Sequence, residues 1–493
     1  MGTDLFRLTL IAGAAWLIAL FLAPIAAAGE PGYSKRVLKV GPDKQFKTVA
    51  AAARAVKNGD TVEIDAGLYK GDVASWHVSD VIIRGVGGLA HLEADGKDEG
   101  GKGIWVVGGR NVVIENIEFS GCKVSDDNGA GIRLESEGPT VIRNCYFHDN
   151  ENGILGGHGG CELVVEYCEF FRNGHGDGYS HNMYIGNCRS FTLRHSYSHG
   201  AKVGHNVKSR AFKNVIVYNR IMDEADGSAS YEIDLPNGGL SYIIGNVIQK
   251  GPKAQNSGLV AYAMEGGKNP EQELYVVNNT MVNDFGKGTF VAIRSATKAV
   301  VANNLFIGPG KGVGGKAEEA ANLATQDGKS VLDRAKYDYR LAENSPARDK
   351  GTDPGKAGDF ALAPVAQYVD KARGEDRAPV GTIDIGAYEF GHVATKKFEP
   401  GAIALIAAVP PPAQPKPEPK PEPAPPAVVA APPPSPPPPV RTPEQICQGW
   451  LSMARNYKNA GMTEEAVRCL NKIIQGYPDS QWAAQAKEEL KKP

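Results

Sequence analysis

The sequence lacks an excess of charge of either sign and, beyond its first 28 residues, lacks any long apolar run. Lys and Arg total 54 against 56 for Asp and Glu, which gives a net charge of −2 at pH 7. Proteins that bind nucleic acids usually carry a marked basic excess, so we expect no nucleic-acid partner. A membrane-spanning helix needs about 20 apolar residues in succession, so we expect no transmembrane segment after residue 28.

One long apolar run is present, and it lies at the N-terminus. Residues 8–28 follow a single basic residue, Arg7, and end in three alanines that form a small-residue cleavage site before Gly29. This layout is typical of a secretory signal peptide. We therefore predict that residues 1–28 are removed and that the protein is secreted or held in the periplasm or cell envelope. An uncleaved membrane anchor is the alternative, because the run approaches spanning length.

The LxxLxL pattern of leucine-rich repeats is also missing, yet this glycine-rich chain repeats another short motif between residues 80 and 310. Each copy is an apolar alternation, a bend residue that is usually Asn, and a second apolar alternation, as in TVIRNCYF. Successive copies are 28, 23, 28, 24, 27, 33 and 24 residues apart. The aligned bend residues are Asn116, Asn144, Tyr167, His195, Asn219, Asn246, Asn279 and Asn303.

These repeats predict a solenoid of short strands. Period-two alternation is typical of strands, and a repeat of about two dozen residues that holds several strands is typical of coiled folds. Asn suits a tight bend, because it adopts a left-handed backbone readily and can stack as an amide ladder. We predict an all-β, right-handed parallel β-helix over residues 37–395, with an amphipathic helix at 46–57 that caps its open end.

Three stretches carry a resemblance to a known family. GDTVEIDAGLYKG, the repeated VxxN copies, and SPARDKGTD followed by GTIDIGAYEFG resemble the secreted right-handed β-helix proteins of the pectate-lyase-like superfamily over roughly residues 37–392. The resemblance implies the same fold. It leaves the activity open among lyases, hydrolases, epimerases, esterases and non-catalytic surface proteins.

Each coil also carries a strand after its bend, and the alternation along these strands predicts which side chains face outward. The inward column is Ile132, Ile154, Met183, Val207, Ile233, Val260 and Val291. The outward column is Arg133, Leu155, Tyr184, Lys208, Asp234, Ala261 and Ala292, flanked by Asn182, Asn206 and Glu232 on one side and Arg210 on the other. Because coils stack about 4.8 Å apart, polar groups from three coils should lie together.

Polar groups in this pattern suit an acidic polysaccharide. β-Elimination or epimerisation at a uronic acid needs a cation on the carboxylate, a base for the adjacent proton and, for elimination, an acid for the leaving oxygen. Lys208 could be the base or the cation that neutralises the carboxylate. Arg210 could bind the carboxylate with two parallel hydrogen bonds, and Tyr184 or a histidine could be the acid. The candidate catalytic residues are Tyr184, Lys208, Arg210, Glu232 and Asp234, and the candidate substrate-binding residues are Arg133, His181, Asn182, His205 and Asn206.

Glu232 and Asp234 have two further interpretations. They could hold Ca²⁺, the one cofactor that the sequence suggests, or serve as the carboxylate pair of a glycoside hydrolase. The alternative to a site is a surface ion-pair ladder around Lys208, which would contribute well under about 1 kcal/mol per pair.

The segment NVKSR around Lys208 resembles the Lys-Ser motif of alginate and chondroitin lyases with this fold. That resemblance implies a lysine base, an arginine acid one coil later and calcium held by acidic residues just before the lysine. Lys208 matches by its place on the strand. No carboxylate occurs before it in GAKVGHN, and no arginine occurs one coil later in SYEIDLPNGG. Of the lysine, the arginine and the calcium ligands, only the lysine therefore has a match in this sequence.

Histidines and cysteines at equivalent places on neighbouring coils leave alternatives open. His181 and His205 should stack, either as a structural pair or as a metal-binding pair. Cys145 and Cys168 should lie within disulfide range of each other, as a bridge or as two thiols. The pairing of Cys447 and Cys469, far along the chain, is likewise open.

Two further parts follow the β-helix. Residues 405–442 are dominated by proline, which predicts a disordered, extended linker. In the segment 443–493, five residues fall at the spacings of a tetratricopeptide repeat, and the segment resembles one such repeat: Ala454, Tyr457, Gly461, Ala466 and Pro478. The resemblance implies a helical hairpin that docks to a protein partner or self-associates. A helical bundle without a partner is the alternative, because three repeats are normally needed.

The sequence therefore predicts an exported β-helix protein that binds an acidic, uronate-containing polysaccharide and acts on it as a lyase or a related enzyme. The competing prediction is a non-catalytic cell-envelope protein that binds glycans through the same face and is tethered through residues 443–493.

Overall fold

The computed structural model describes residues 36–400, residues 463–491 and five positions in between: Glu444, Cys447, Trp450, Leu451 and Ala454. The chain divides into two compact units, Met1–Ala408 and Val409–Pro493. The predicted signal peptide (1–28) and the predicted proline-rich linker (405–442) lie outside the described residues and stay predictions. Among the described helices, none combines the length and the apolar character that a membrane crossing requires.

The first unit is a parallel β-solenoid of about ten coils, which confirms the predicted fold class. In chain order its strands are β1 (Val37–Val40), β2 (Thr61–Lys70), β3 (Ala74–Trp76), β4 (Val81–Glu93), β5 (Gly103–Val107), β6 (Val112–Glu115), β7 (Ile117–Ser120), β8 (Ala130–Leu134), β9 (Pro139–Arg143), β10 (Tyr146–His148), β11 (Asn152–Gly156), β12 (Glu162–Glu166), β13 (Glu169–Phe171), β14 (Met183–Ile185), β15 (Ser190–Arg194), β16 (Tyr197–His199), β17 (Val207–Ser209), β18 (Lys213–Val217), β19 (Arg220–Met222), β20 (Ile233–Leu235), β21 (Leu240–Ile244), β22 (Val247–Lys250), β23 (Gly258–Tyr262), β24 (Glu273–Val277), β25 (Thr280–Asn283), β26 (Thr289–Ile293), β27 (Lys298–Ala302), β28 (Leu305–Ile307), β29 (Lys311–Gly314), β30 (Glu318–Ala320) and β31 (Leu323–Thr325).

Each coil contributes one strand to each of three faces. Sheet 1 has ten strands in the order β3, β5, β8, β11, β14, β17, β20, β23, β26 and β29. Sheet 2 runs through β6, β9, β12 and every third strand to β30, and sheet 3 through β7, β10, β13 and every third strand to β31. Strands β2 and β4 are long enough to belong to both, so these two faces form one 21-stranded sheet.

The interior confirms the predicted inward column. All seven of its members, from Ile132 to Val291, have no exposed surface, and they pair across successive strands of sheet 1 in the predicted register. Phe119, Phe147 and Phe170 stack nearby, with ring centroids 5.0 and 4.8 Å apart. Burial of this apolar column fixes which side chains of each strand must face outward.

The predicted bend is present on every repeat, but its residue is shifted by one in three coils. Asn116, Asn144, Tyr167, His195 and Asn303 have the expected left-handed backbone. In the other three coils the left-handed residues are Tyr218, Gly245 and Asn278. Because the bend and the position after it both favour Asn, the repeated Asn alone did not distinguish them.

The position after the bend carries the amide ladder. Asn219, Asn246 and Asn279 each donate a side-chain N–H to the amide oxygen of the next rung, at 3.0, 3.0 and 2.9 Å, and Asn304 continues the row to Asn322 at 3.0 Å. We call these five residues the asparagine ladder. It satisfies buried polar groups on successive coils and so fixes their register.

The open end of the first coil is covered by α1 (Val49–Ala55), which is shorter than the predicted 46–57. Thr48 caps the helix by accepting the N–H of Ala51, and Asp72 accepts the N–H groups of Val49 and Ala50. The buried residues of α1 are Val49 and Ala52, so its apolar side covers the strand edges.

After β31 the chain returns along the solenoid in short antiparallel strands. They are β32 (Val331–Asp333), β33 (Asp338–Leu341), β34 (Lys356–Ala357), β35 (Phe360–Ala361), β36 (Ala366–Val369), β37 (Arg373–Asp376) and β38 (Lys397–Phe398). Lys371 reaches Glu169 at 2.6 Å, and Phe398 packs on His195. Phe360 stacks on Tyr242 of β21, so this segment covers part of sheets 2 and 3.

In the second unit the structure describes α2 (Thr463–Gly476) and α3 (Gln481–Lys491). One apolar cluster joins these helices to three residues of the preceding segment: Cys447, Leu451, Ala454, Leu470, Ile473 and Ala486. The likeness to a tetratricopeptide repeat stays a prediction. Cys145, Cys168 and Cys447 are buried thiols in the structure, and the side chain of Cys469 lies outside the described residues.

Candidate functional site

Tyr184, Lys208 and Asp234 stand in one column on β14, β17 and β20. We call these three residues the exposed column because their side chains point outward from sheet 1, although Asp234 itself is only 4% exposed. Lys208 Nζ lies 5.1 Å from the centroid of the Tyr184 ring and 3.8 Å from Asp234 Oδ2. The Lys208 side chain is 13% exposed. The predicted stack therefore forms, with its ammonium group at the surface between an aromatic face and a carboxylate.

Arg210 is held rigidly beside this column by three hydrogen bonds. Its Nε donates to the Tyr184 hydroxyl at 2.8 Å, its Nη1 to Asn237 Oδ1 at 2.7 Å and its Nη2 to Glu265 Oε2 at 2.8 Å. Burial acts to lower the pKa of Arg210, but Tyr184 and Glu265 outweigh it and raise the pKa above its ordinary value. The guanidinium is thus a fixed positive charge that orients the Tyr184 hydroxyl.

His181 and His205 stack as predicted, with ring centroids 4.8 Å apart and planes 10° from parallel. His181 Nδ1 accepts the backbone N–H of His205, and His205 Nδ1 accepts that of Tyr231, at 3.0 and 3.1 Å. Burial lowers the pKa of both rings well below the ordinary value. Each neutral ring therefore carries its proton on Nε2. With both Nδ1 atoms engaged, the pair fits the structural interpretation better than the metal-binding one.

Asp234 connects the histidine pair to the lysine. Its Oδ2 lies 3.4 Å from His205 Nε2 as well as 3.8 Å from Lys208 Nζ. Burial raises the pKa of Asp234 to about 6, against the opposing effect of Lys208. The carboxyl group therefore changes charge close to neutral pH, directly beside the only ammonium group of the exposed column.

The expected outward orientation of Asn182, Asn206 and Glu232 is wrong. All three side chains are fully buried, because they precede the strands of sheet 1, at the bend, where strict alternation does not hold. Asn173 donates to Asn182 at 3.0 Å, Asn182 to Asn206 at 2.9 Å and Asn206 to Glu232 at 2.5 Å. We call Asn182, Asn206 and Glu232 the buried ladder. As placed, none of the three can touch a bound polymer.

The buried ladder ends in an ion pair inside the protein. Lys250 Nζ lies 2.9 Å from Glu232 Oε1 and 3.9 Å from Asp223 Oδ2, and the side chains of all three residues are fully buried. Burial, and then the charge of Asp223, raise the pKa of Glu232 above its usual range. Lys250 also donates to the backbone oxygen of Ser230 at 2.7 Å, so this network anchors the loop that leads into β20.

The pairing of Glu232 with Asp234 as a calcium site or as a hydrolase pair is therefore wrong. Calcium needs six to eight oxygen ligands, but both carboxylate oxygens of Glu232 already contact Asn206 and Lys250 inside the protein. A glycosidase needs two carboxyl groups that both reach the sugar. Only Asp234 lies on the outward side, next to two basic groups.

Arg133 lies on the same face but apart from the cluster. It pairs in register with Leu155 on β11, which in turn pairs with Tyr184. It is therefore three coils from Lys208, about 14 Å along the axis. Its Nη2 donates to the backbone oxygen of Asn128 at 3.2 Å. This position suits contact with a distant part of a polymer.

Two residues that hold Arg210, Asn237 and Glu265, were missed by the sequence analysis. Both lie in connections after the strands of sheet 1 rather than in the repeated columns. Glu265 is 55 residues from Arg210 along the chain, and it does not occupy a repeated position of the coils. Lys250 was missed because it ends β22 on sheet 3, on a different face from the site.

Comparisons with known proteins support the fold. Residues 66–248 match the family described as a right handed beta helix region, which includes the exposed column. Pectate lyase Pel9A aligns with a TM-score of 0.50 and 15% identity, over 73% of this chain and 98% of that chain. The A-module of the mannuronan C-5 epimerase AlgE6 from Azotobacter vinelandii aligns with a TM-score of 0.35 and 16% identity, over 56% and 93%. No curated protein matches the chain in sequence. At these identities the likeness to Pel9A shows a shared parallel β-helix fold.

Proposed function

We propose that this protein acts on an acidic, uronate-containing polysaccharide by β-elimination, at the exposed column and Arg210. The observation that carries the proposal is the convergence of Lys208, Tyr184 and Arg210 on the outward side of sheet 1. The fold shared with a pectate lyase is in keeping with this proposal. A polymer substrate also suits export, which we propose on the basis of the N-terminal sequence.

Lys208 is the proposed base. In its unprotonated form, Nζ takes the proton from the carbon next to the uronate carboxylate, and the C–H electrons form a carbon–carbon double bond as the glycosidic oxygen leaves. Arg210 lies beside it, and its positive charge favours the carboxylate and the negative charge that develops there.

Tyr184 is the proposed acid for the leaving oxygen. Its hydroxyl oxygen accepts the Nε–H of Arg210 at 2.8 Å, so its own proton remains available for donation. The adjacent guanidinium stabilises the phenolate that forms when this proton leaves. Lys208 lies 5.1 Å from the same ring. Base and acid therefore stand on adjacent coils, within reach of one sugar unit.

The test is an assay of the full chain on a panel of uronate polymers, by ultraviolet absorbance of the unsaturated product and by release of reducing ends. We expect both signals with at least one polymer, and a loss of about 10²- to 10⁴-fold in kcat/KM for Lys208→Ala. Lys213→Ala is the matched control, because Lys213 also lies near a tyrosine ring, 6.0 Å from Tyr242, but on sheet 2.

Other outcomes decide between the alternatives. Reducing ends without unsaturated product would indicate hydrolysis, and a change in uronate stereochemistry without cleavage would indicate epimerisation. Polymer binding with no product of any kind would contradict the enzyme and favour the non-catalytic glycan-binding protein. Full activity of Lys208→Ala would remove Lys208 as the base. Docking of residues 443–493 to a partner stays a prediction, which pull-down with the isolated segment would test.

A further inference from the structure

A second group of chemically reactive side chains lies on sheet 3, away from the exposed column. His91, Glu118 and His148 belong to β4, β7 and β10, which are neighbouring strands on three successive coils. Their side chains are 27%, 21% and 19% exposed. We call these three residues the His–Glu cluster. Its members are 27 and 30 residues apart in sequence, so only the stacking of coils brings them together.

The donor atoms of the cluster converge on one point. Glu118 Oε1 lies 3.0 Å from His148 Nε2 and 3.6 Å from His91 Nε2, and all three atoms lie within 4.8 Å of one another. In a tetrahedral zinc site with bonds of about 2.0–2.1 Å, the ligand atoms are about 3.4 Å apart. The two separations between carboxylate and imidazole lie on either side of that value. His91 Nε2 also lies 2.7 Å from Ser120 Oγ and would exchange that hydrogen bond for the metal.

The surroundings of His148 orient its Nε2 atom toward this point. Its Nδ1 lies 2.9 Å from Asp149 Oδ2, and Asp149 is itself held by Arg172 at 2.9 and 3.1 Å. The ring also stacks on Tyr146, with centroids 4.5 Å apart. A carboxylate on one imidazole nitrogen, with the metal on the other, is the usual supporting arrangement of a metal-binding histidine.

We propose that His91, Glu118 and His148 bind one divalent transition-metal ion of the zinc class, which links three coils of the solenoid. Two imidazoles and one carboxylate favour zinc over calcium or magnesium, which prefer oxygen ligands. Three protein ligands leave a fourth position for water. The site is independent of the proposed lyase reaction, because it lies on another face.

The test is titration of the full chain, produced without a polyhistidine tag, with zinc chloride in a calorimeter. We expect one equivalent of zinc to bind to the wild type. Glu118→Gln and His148→Gln should each weaken its Kd at least tenfold, and Asp149→Asn should weaken it by about tenfold. Zinc should also raise the unfolding temperature of the wild type, but not that of the two ligand variants.

Two control variants make the assignment specific. His158→Gln removes an exposed histidine with a single carboxylate 3.9 Å away, and His175→Gln removes the histidine of the other described cluster of possible ligands, with Asp127 and Glu151. Both should bind zinc as the wild type does. The proposal is overturned if the wild type binds no zinc, if His175→Gln abolishes binding, or if both ligand variants keep wild-type affinity. Circular dichroism of each metal-free variant confirms that it has folded.

Discussion

The exposed column and the buried ladder lie two residues apart on the same three coils, yet the side chains of the first point outward from sheet 1 and those of the second point into the protein. Lys208 and Asp234 stand on strands whose inward residues are apolar, whereas Asn206 and Glu232 stand at the bend just before them. The ladder fixes the bend from which each strand of the column begins. We therefore expect the buried ladder to position the strands and the exposed column to carry the proposed chemistry.

Two lysines show the same difference in burial. Lys208 is partly exposed and its nearest carboxylate oxygen is 3.8 Å away. Lys250 is fully buried, 2.9 Å from Glu232, and also contacts main-chain oxygens. Loss of Lys208 should therefore affect activity, and loss of Lys250 should affect stability.

The largest effect on stability is expected for Lys250→Met. It leaves Glu232 and Asp223 buried without a cation, which should lower the free energy of unfolding by about 3–5 kcal/mol. Lys208→Met should change it by about 1 kcal/mol or less. Equilibrium urea unfolding of the full chain measures both. The double variant Lys250→Met/Glu232→Gln should recover part of the loss. Equal losses for the two lysines would contradict the division between the two sets.

Asp234→Asn should change the pH dependence of stability. The pKa of Asp234 in the folded protein, about 6, lies above its ordinary value of 3.8, so the folded state binds the proton more tightly. That stabilisation is present at acidic pH and is lost as the pH rises through 6. Relative to the Asn variant, the free energy of unfolding of the wild type should therefore fall by roughly 2 to 3 kcal/mol between about pH 4 and pH 7.

Urea unfolding at several pH values measures this slope. Asp226→Asn is the matched control, because Asp226 is 89% exposed in its ion pair with Lys253 and should keep the wild-type slope. If the Asp234 and Asp226 variants behaved alike, the burial of Asp234 would not control its titration.

Asn279→Ala tests the asparagine ladder, the other row of buried amides. Asn279 accepts from Asn246 and donates to Asn304 and to the backbone oxygen of Ile243. Its removal leaves buried groups unpaired, which should lower the free energy of unfolding by about 2 kcal/mol. The exposed Asn187 should tolerate Ala with a change of about 0.5 kcal/mol. A similar, small effect at both positions in thermal or urea unfolding would argue against the ladder as a source of stability.

The smallest effect is expected for Arg133→Ala. Because Arg133 is three coils from Lys208, we expect KM to rise by about fivefold at most, with kcat unchanged, as for a partly exposed ionic contact worth about 1 kcal/mol. Steady-state kinetics on the best polymer measure both constants. A fall in kcat as large as that of Lys208→Ala would instead place Arg133 in the chemistry.

The fold could be predicted from the sequence because every coil of the solenoid has the same requirement for burial of apolar side chains. Each coil must bury an apolar residue such as Ile154 or Val207, and this periodic requirement also determined the outward neighbours Leu155 and Lys208. Where the chain bends, the alternation stops, so Asn206 and Glu232 were assigned to the wrong side. The site was therefore predictable only as far as its strands extend.

The partners of Arg210 could not be predicted for a related reason. Asn237 and Glu265 come from connections that follow no period, and only folding places them at its guanidinium. The same limit applies to Lys250, which reaches Glu232 from another face of the coil. Long-range polar pairs of this kind leave no regular spacing in a single sequence.

The asparagine ladder has a consequence for the size of each coil. Its rungs make side-chain hydrogen bonds of 2.9–3.0 Å, although they are 27, 33, 25 and 18 residues apart in the chain. All of this variation is absorbed by the connections, and the longest coil is the one whose connection supplies Glu265. The length of a coil can therefore be changed in protein engineering without changing the spacing between coils. Residues inserted between β23 and β24 would alter the edge of the site and leave the pitch of the solenoid intact.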